Sequence, residues 1–373
     1  MKKSWDKKWY SDEFLQKLKD GAYEEYDGNL KYTVKYPPDA ISKTGIDPRM
    51  LGGPIGKMAK LLRFVPDFIF NNIHTSVNSK NIEAFRKSCE ICSYADCKIK
   101  SVDIENSHIK ASDGYNIPIR IYKSKNKTNS NACLAFIHGG AFVAGSLAPY
   151  DEAMKMLVDK FELKVISIDY RPLPENPYPT LYNDCFDVIE YIYNNENEFE
   201  IDKNEIFVCG DSAGGNIAQA CATHFAKTDI IKAQLLLYPT LNLFQIEDKY
   251  YKKDINGFTF EPKQKGLSKG VIRQMQTLAK CDVTKIGIKK PDKYNNPYSF
   301  DVLSDIPTFI SVGALDFLKK DAFAWAHKLN DKGIDLKLVV YNGLGHGYIN
   351  ATGVFPQAED LIDEMGEFIK NRL

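Results

Sequence analysis

A hydroxyl that is to attack an acyl carbon needs a backbone that lifts it clear of its neighbours and a base that takes its proton. Gly210-Asp211-Ser212-Ala213-Gly214 offers the first of these. It follows the β-type run ending at Cys209 and precedes a helical pattern. In that strand–turn–helix setting a G-x-S-x-G sequence holds its serine on a sharp turn with Oγ exposed. The flanking glycines suit a turn too tight for a Cβ. The first N–H groups of a helix starting at Ala213 favour negative charge beside the serine. Outside this setting the same pentapeptide is an ordinary Gly-rich turn; within it, Ser212 is the candidate nucleophile.

The base must come from six histidines: His74, His108, His138, His224, His327 and His346. His346 lies in Gly343-Leu344-Gly345-His346-Gly347-Tyr348, just past the last β-type run, where a loop at a strand's carboxyl end is expected. His224 and His327 fall inside helical patterns and read as packing or surface residues. His74 and His108 lie outside the strand-end loops. The base in turn needs a carboxylate that fixes its tautomer and stabilises the imidazolium. Asp316 closes the β-type run that begins at Thr308, one strand before His346. Asp321, inside the helix that follows, is the nearest rival. Asp305 precedes the strand and falls at the wrong end of a sheet.

The fourth element is His138-Gly139-Gly140-Ala141-Phe142, after the run Cys133–Ile137. Its glycines let backbone approach a ligand closely. The N–H groups of Gly139 and Gly140, with Ala141 as a further donor, can converge with that of Ala213 on a developing oxyanion. One such donor contributes about 3–4 kcal/mol of transition-state stabilisation. His138 reads as a structural residue that shapes the loop through side-chain hydrogen bonds.

These residues sit on a recognisable frame. Short β-type runs, most of them near-continuous in apolar residues, occur at 117–122, 133–140, 164–170, 205–215, 233–239, 308–316 and 336–343. Such runs suit strands covered on both faces of a mostly parallel sheet. Helical patterns lie between them at Leu181–Tyr193, Asn216–Ala226 and Asp321–Lys332, and a last helix carries Leu361, Ile362, Met365, Phe368 and Ile369 on one face. Strands alternating with helices predict a doubly wound α/β fold. Residues 240–304 separate two strands by more than a crossover helix requires. Before residue 95 an apolar stripe, Met58, Leu61, Leu62, Val65, Phe68, Ile69 and Ile73, predicts amphipathic helices, with Pro66 opening the second.

Taken together, His138–Phe142, Gly210–Gly215, the stretch Asp169–Pro179 (DYRPLPENPYP) and the Asp316 and His346 loops resemble the hormone-sensitive-lipase-like family of carboxylesterases, in the branch with Asp before the nucleophile, here Asp211. The match covers about residues 100–373, and the order Ser212, Asp316, His346 is the one expected of an α/β-hydrolase. The resemblance implies an eight-stranded, mostly parallel sheet flanked by helices, with a helical cap. It assigns residues 1–95 and 240–304 to the cap, and residues 96–239 and 305–373 to the catalytic domain. It makes Glu175 and Arg171 part of a motif that buttresses the loop near the site. It also implies a small ester substrate, no cofactor, and pairing into homodimers in some members. Two features depart from the family: Ala141 stands where a third Gly is usual, and the N-terminal segment is longer.

Composition sets limits on partners. Lys+Arg and Asp+Glu are both 49, so the formal net charge is zero and gives no electrostatic reason to expect nucleic acid or an anionic membrane. No apolar run approaches the length of a membrane span. The basic start is not followed by a signal-peptide apolar core, so the expected compartment is the cytoplasm. Eight cysteines are too sparse for a disulfide scaffold. Cys89, Cys92 and Cys97 are closely spaced but lack a nearby fourth ligand, and structural zinc wants four, so no metal is expected. The Tyr-rich runs 22–36 and 250–260 are candidates for lining a site entrance or for surface packing. Within the enzyme reading, amide or peptide hydrolysis uses the same side chains; outside it, the fold can serve as a non-catalytic small-molecule binder.

Overall fold

The apolar runs become the centre of one sheet. The structure, a computed structural model, describes residues 9–40, 42, 45–52, 60–66, 69, 82–90, 99–126, 130–252, 269–273 and 283–373. Its strands are β1 (Tyr23–Asp27), β2 (Leu30–Lys35), β3 (Val102–Lys110), β4 (Asn116–Ser124), β5 (Cys133–Ile137), β6 (Lys164–Ile168), β7 (Ile206–Asp211), β8 (Ala233–Leu237), β9 (Thr308–Gly313) and β10 (Leu336–Tyr341). They lie in the order β1-β2-β10-β9-β8-β7-β5-β6-β4-β3. The run from β2 through β6 is parallel throughout, and β1, β4 and β3 are antiparallel to their neighbours. Every residue of β5, β7, β8 and β9 is buried, which is why those stretches read as continuous apolar runs.

The principal helices are α1 (Asp12–Asp20), α2 (Ile82–Glu90), α3 (Asp151–Phe161), α4 (Thr180–Asn194), α5 (Ala213–His224), α6 (Lys319–Asp331) and α7 (Pro356–Lys370). Helix α3 packs with α7, α4 packs with α5, and α6 lies on β9 and β10. Among the described residues no helix is long and apolar enough to cross a membrane.

The N-terminal segment departs from expectation. Residues 23–35 were expected in a helical cap; they form a hairpin that adds two strands to the eight. Gly28 and Asn29 make its two-residue turn, with Gly28 at φ +60°. Strand β2 then runs parallel to β10, with Val34 opposite Val340. The cause is chemical as well as topological. Lys35, buried at the end of β2, is held by the carboxylates of Asp360 and Glu364 on α7, and Tyr341 donates its phenol proton to Asp360. Ahead of the hairpin, α1 packs on α7. Within the apolar stripe, Met58, Phe68 and Ile73 lie outside the described residues, as does the helix start expected after Pro66. Leu62 and Val65 are half-buried, whereas Leu61 and Ile69 are exposed.

Candidate active site

Parallel pairing aligns strand ends. Ile137 of β5 sits opposite Gly210 of β7, and Gly313 of β9 opposite Tyr341 of β10. The loops leaving β5, β7, β9 and β10 therefore emerge along one edge of the sheet, the usual place for ligands in α/β proteins. These loops carry His138–Phe142, Ser212, Asp316 and His346.

Ser212 links β7 to α5 with φ +56° and ψ −117°, a conformation that L residues rarely adopt. The turn is closed too tightly for side chains on either flank. A Cβ at Gly210 would stand 2.1 Å from the Gly214 carbonyl oxygen, and one at Gly214 would stand 2.1 Å from that of Ile137. Two hydrogen bonds then converge on His346. Its Nε2 is 2.8 Å from Ser212 Oγ, and its Nδ1 is 2.9 Å from Asp316 Oδ2. Asp316 is held by its second oxygen, which accepts the Leu318 N–H at 2.8 Å. The carboxylate is closed off from solvent while the imidazole keeps 20% of its surface open, so a substrate can approach from the histidine side. Tyr238 and Phe317 pack on the imidazole at 4.9 and 4.7 Å. Burial pulls the His346 pKa down. The charge of Asp316, its hydrogen bond and the more distant Asp211 outweigh this, leaving the pKa above the ordinary imidazole value.

The loop after β5 corrects one expectation. Gly139 does not have a donor to spare: its N–H is given to Asp211 Oδ1 at 2.6 Å, with the Tyr150 phenol at 3.3 Å. The N–H groups of Gly140 and Ala141 meet no acceptor among the described residues, and that of Ala213, opening α5, has none within the helix. Gly140 must be glycine, since a Cβ there would stand 2.0 Å from the Ala144 carbonyl oxygen. His138 Nδ1 bonds the Gly139 carbonyl at 2.8 Å, its Nε2 is 3.4 Å from Asp169, and its ring stacks on Tyr170. Those contacts all fall within the loop and its support. Glu175 forms a two-pronged ion pair with Arg86 of α2. Arg171 instead grips Asp184 of α4.

The rival carboxylate has another task. Asp321 Oδ2 accepts the N–H groups of Leu241 and Asn242, each at 2.9 Å, and so pins the start of the segment that leads from β8 to β9. Burial, eased by these two donors, pushes its pKa up to about 6. Asn216 of α5 ties the two ends of that segment together, its amide donating to the carbonyls of Thr240 and Asn295. Arg273, between them, donates to the Leu62 carbonyl at 2.6 Å. Among the remaining histidines, His224 stacks on Phe186, and His327 stacks on Tyr250 and reaches Asp27. Among the described residues no group of His, Cys, Asp and Glu could hold a metal ion. Cys92 and Cys97 lie outside them, and Cys209 and Cys221 are buried. Sequence reasoning missed Arg86, Tyr150 and Tyr238, which reach the site from unrelated elements. Of the Tyr-rich runs, 22–36 forms the β1–β2 hairpin, and residues 253–260 lie outside the described part.

A serine on a strand–helix elbow, hydrogen-bonded to a histidine that is backed by a carboxylate, at the carboxyl edge of a mostly parallel sheet, defines an α/β-hydrolase. The chain belongs to that family, in its hormone-sensitive-lipase-like branch; the family profile described as alpha/beta hydrolase fold matches residues 134–350. An arylesterase of Saccharolobus solfataricus is 30% identical over 288 residues, covering 76% of this chain and 85% of its own. A rabbit (Oryctolagus cuniculus) arylacetamide deacetylase is 30% identical over 159 residues, 40% of each chain. The structure of a hyperthermophilic esterase from Pyrobaculum calidifontis superposes with a TM-score of 0.63 at 25% identity, covering 83% of this chain and 97% of its own.

Proposed function

We propose that this chain is a serine carboxylesterase for small, short-acyl esters, working through Ser212, His346 and Asp316. The observation that carries this reading is the pair of hydrogen bonds on one imidazole, 2.8 Å to Ser212 Oγ and 2.9 Å to Asp316 Oδ2. His346 Nε2 takes the proton as Ser212 Oγ bonds the ester carbon. Asp316 holds Nδ1–H and stabilises the imidazolium. The N–H groups of Gly140, Ala141 and Ala213 receive the oxyanion. His346 gives its proton to the departing alkoxide, leaving an acyl-serine and free alcohol. A water then repeats the cycle and releases the acid.

Residues 36–95 and 240–304 form the cap in this reading, a view supported by the Arg273–Leu62 bond between them and by the clamped ends of the insertion. A cap over the serine favours modest substrates over extended fats.

The test is Ser212→Ala with p-nitrophenyl acetate and a fluorophosphonate label. We expect kcat to fall on the order of 10⁶-fold and labelling to vanish. Undiminished hydrolysis by that variant, free of contaminating enzyme, would overturn the assignment. The deacetylase relative favours a second reading, amide hydrolysis by the same residues. Matched aryl ester and anilide substrates separate the two.

A further inference from the structure

We infer that Arg86, on α2 of the N-terminal segment, is a positioning residue for the oxyanion loop, so that a helix outside the sheet helps make the site competent. This rests on the oxyanion role proposed above for Gly140 and Ala141.

The loop needs support. Gly140, Ala141, Phe142 and Gly145 all have positive φ, at +133°, +53°, +67° and +102°. Two of the four carry side chains in a region that favours glycine, a conformation that persists only when its surroundings over-determine it. Inside the turn, the N–H groups of Val143 and Ala144 both bond the Gly140 carbonyl. Across it, Leu173 N–H bonds the Phe142 carbonyl at 2.9 Å.

Arg86 closes this assembly from outside. Its Nε–H donates to the Val143 carbonyl at 2.7 Å, and its Nη2 to the Leu173 carbonyl at 3.3 Å. One guanidinium thus grips both segments that meet at Phe142. Glu175 accepts from Nη1 at 2.9 Å and Nη2 at 2.7 Å, which fixes the plane of the fork, and Glu83 lies one helical turn away on α2. Only a planar, multi-donor cation can make these bonds together, and lysine cannot. The N–H groups that would meet the oxyanion belong to the residues just before Phe142, so a small shift of this turn moves them directly.

The experiment compares wild type, Arg86→Ala and Arg86→Lys for kcat, KM, thermal stability and inhibition by an alkyl trifluoromethyl ketone, whose serine adduct carries an oxyanion. Misplacement of reacting geometry by about 1 Å costs on the order of 100-fold, so we expect kcat to drop roughly 10–100-fold in both variants with KM nearly unchanged. Inhibitor affinity should weaken in step with kcat, and added ethylguanidinium should restore part of the Arg86→Ala activity. A purely structural role would lower thermal stability without that inhibitor signature or rescue. Should Arg86→Ala not fold, Arg86→Lys carries the test: a folded Arg86→Lys enzyme with wild-type kcat and inhibitor affinity overturns the inference. That outcome leaves the esterase reading intact, which fails separately if wild type hydrolyses no ester or Ser212→Ala keeps its activity.

Discussion

Asp211 Oδ1 accepts the Gly139 N–H at 2.6 Å, so the residue before the nucleophile holds the loop that faces it. The bond is buried, and Asp211 is drawn above the ordinary carboxylate range by that burial even though the Gly139 donor opposes the shift. Asp211→Ala strands a buried N–H, which costs about 1–3 kcal/mol. Asp211→Asn keeps an acceptor oxygen in place and should lose less. Chemical denaturation of the two variants checks this; equal stability of Asp211→Ala and wild type would contradict it.

His346 should set the acid limb of the pH–rate profile. Ester hydrolysis requires the neutral imidazole, so kcat/KM rises with pH as His346 loses its proton. Because its pKa is raised above 6.5, the half-maximal point lies above that pH. Asp316→Asn removes the charge responsible. We expect activity to fall on the order of 10⁴-fold, with the limb of the residual rate displaced to lower pH. A limb that stays where it was would argue against the Asp316–His346 coupling.

Asp321 makes the opposite kind of prediction, about folding and not turnover. Its pKa is raised from 3.8 to about 6, so the unfolded chain releases this proton first and the folded state is disfavoured as pH climbs between those values. The group's penalty above pH 6 is about 3 kcal/mol by the pKa difference. Asp321→Asn keeps an oxygen for the Leu241 and Asn242 N–H groups and lacks the charge. Its stability relative to wild type should therefore grow from pH 4 to pH 7, while ester hydrolysis persists. Urea titrations at several pH values would reveal a flat difference if this is wrong.

Ala141 stands at φ +53° where the resembled family carries glycine. Ala141→Gly relieves a conformation that costs a side-chain-bearing residue roughly 1 kcal/mol or more. That gain is opposed by the greater freedom of glycine in the unfolded chain. The melting temperature should stay level or rise, and turnover should survive. Ala141→Val, branched at Cβ, should lose both.

Lys35 is the buried cation between Asp360 and Glu364. Lys35→Met leaves two carboxylates facing each other without it, and breaking a buried pair from one side typically costs about 3–5 kcal/mol. Denaturation midpoints of Lys35→Met and of the double variant Lys35→Met/Asp360→Leu test the origin of the loss: the double variant should recover stability.

Much of the frame was legible because burial on both faces writes itself into a strand as unbroken apolar residues. That holds for β5, β7, β8 and β9. It fails for β3, Val102-Asp103-Ile104-Glu105-Asn106-Ser107-His108-Ile109-Lys110, an edge strand whose middle is exposed. It also fails for β1, where Tyr23-Glu24-Glu25-Tyr26-Asp27 carries charge along an open edge; there the two-residue Gly28-Asn29 turn was the available signal. In the site, residue type and strand-end position pointed to Ser212, Asp316 and His346, and the structure places Ser212 and Asp316 each within hydrogen-bond distance of the His346 ring. Side chains that reach across elements left no such trace. Nothing along the chain tells that Asp211 occupies the Gly139 N–H, or that an arginine on α2 grips Val143.

The pairing of β2 with β10 sets a timetable for folding. Thr33, Val34 and Lys35 have their partners at Val339, Val340 and Tyr341, and Lys35 finds its counter-ions only at Asp360 and Glu364. The hairpin therefore waits, unpaired on the β2 side, until Val339–Tyr341 and then Asp360 and Glu364 have been synthesised. Contacts of such sequence separation form slowly. In the folded sheet the acidic side chains of Tyr23–Asp27 leave charge along its outer edge, which disfavours edge-to-edge pairing with another chain.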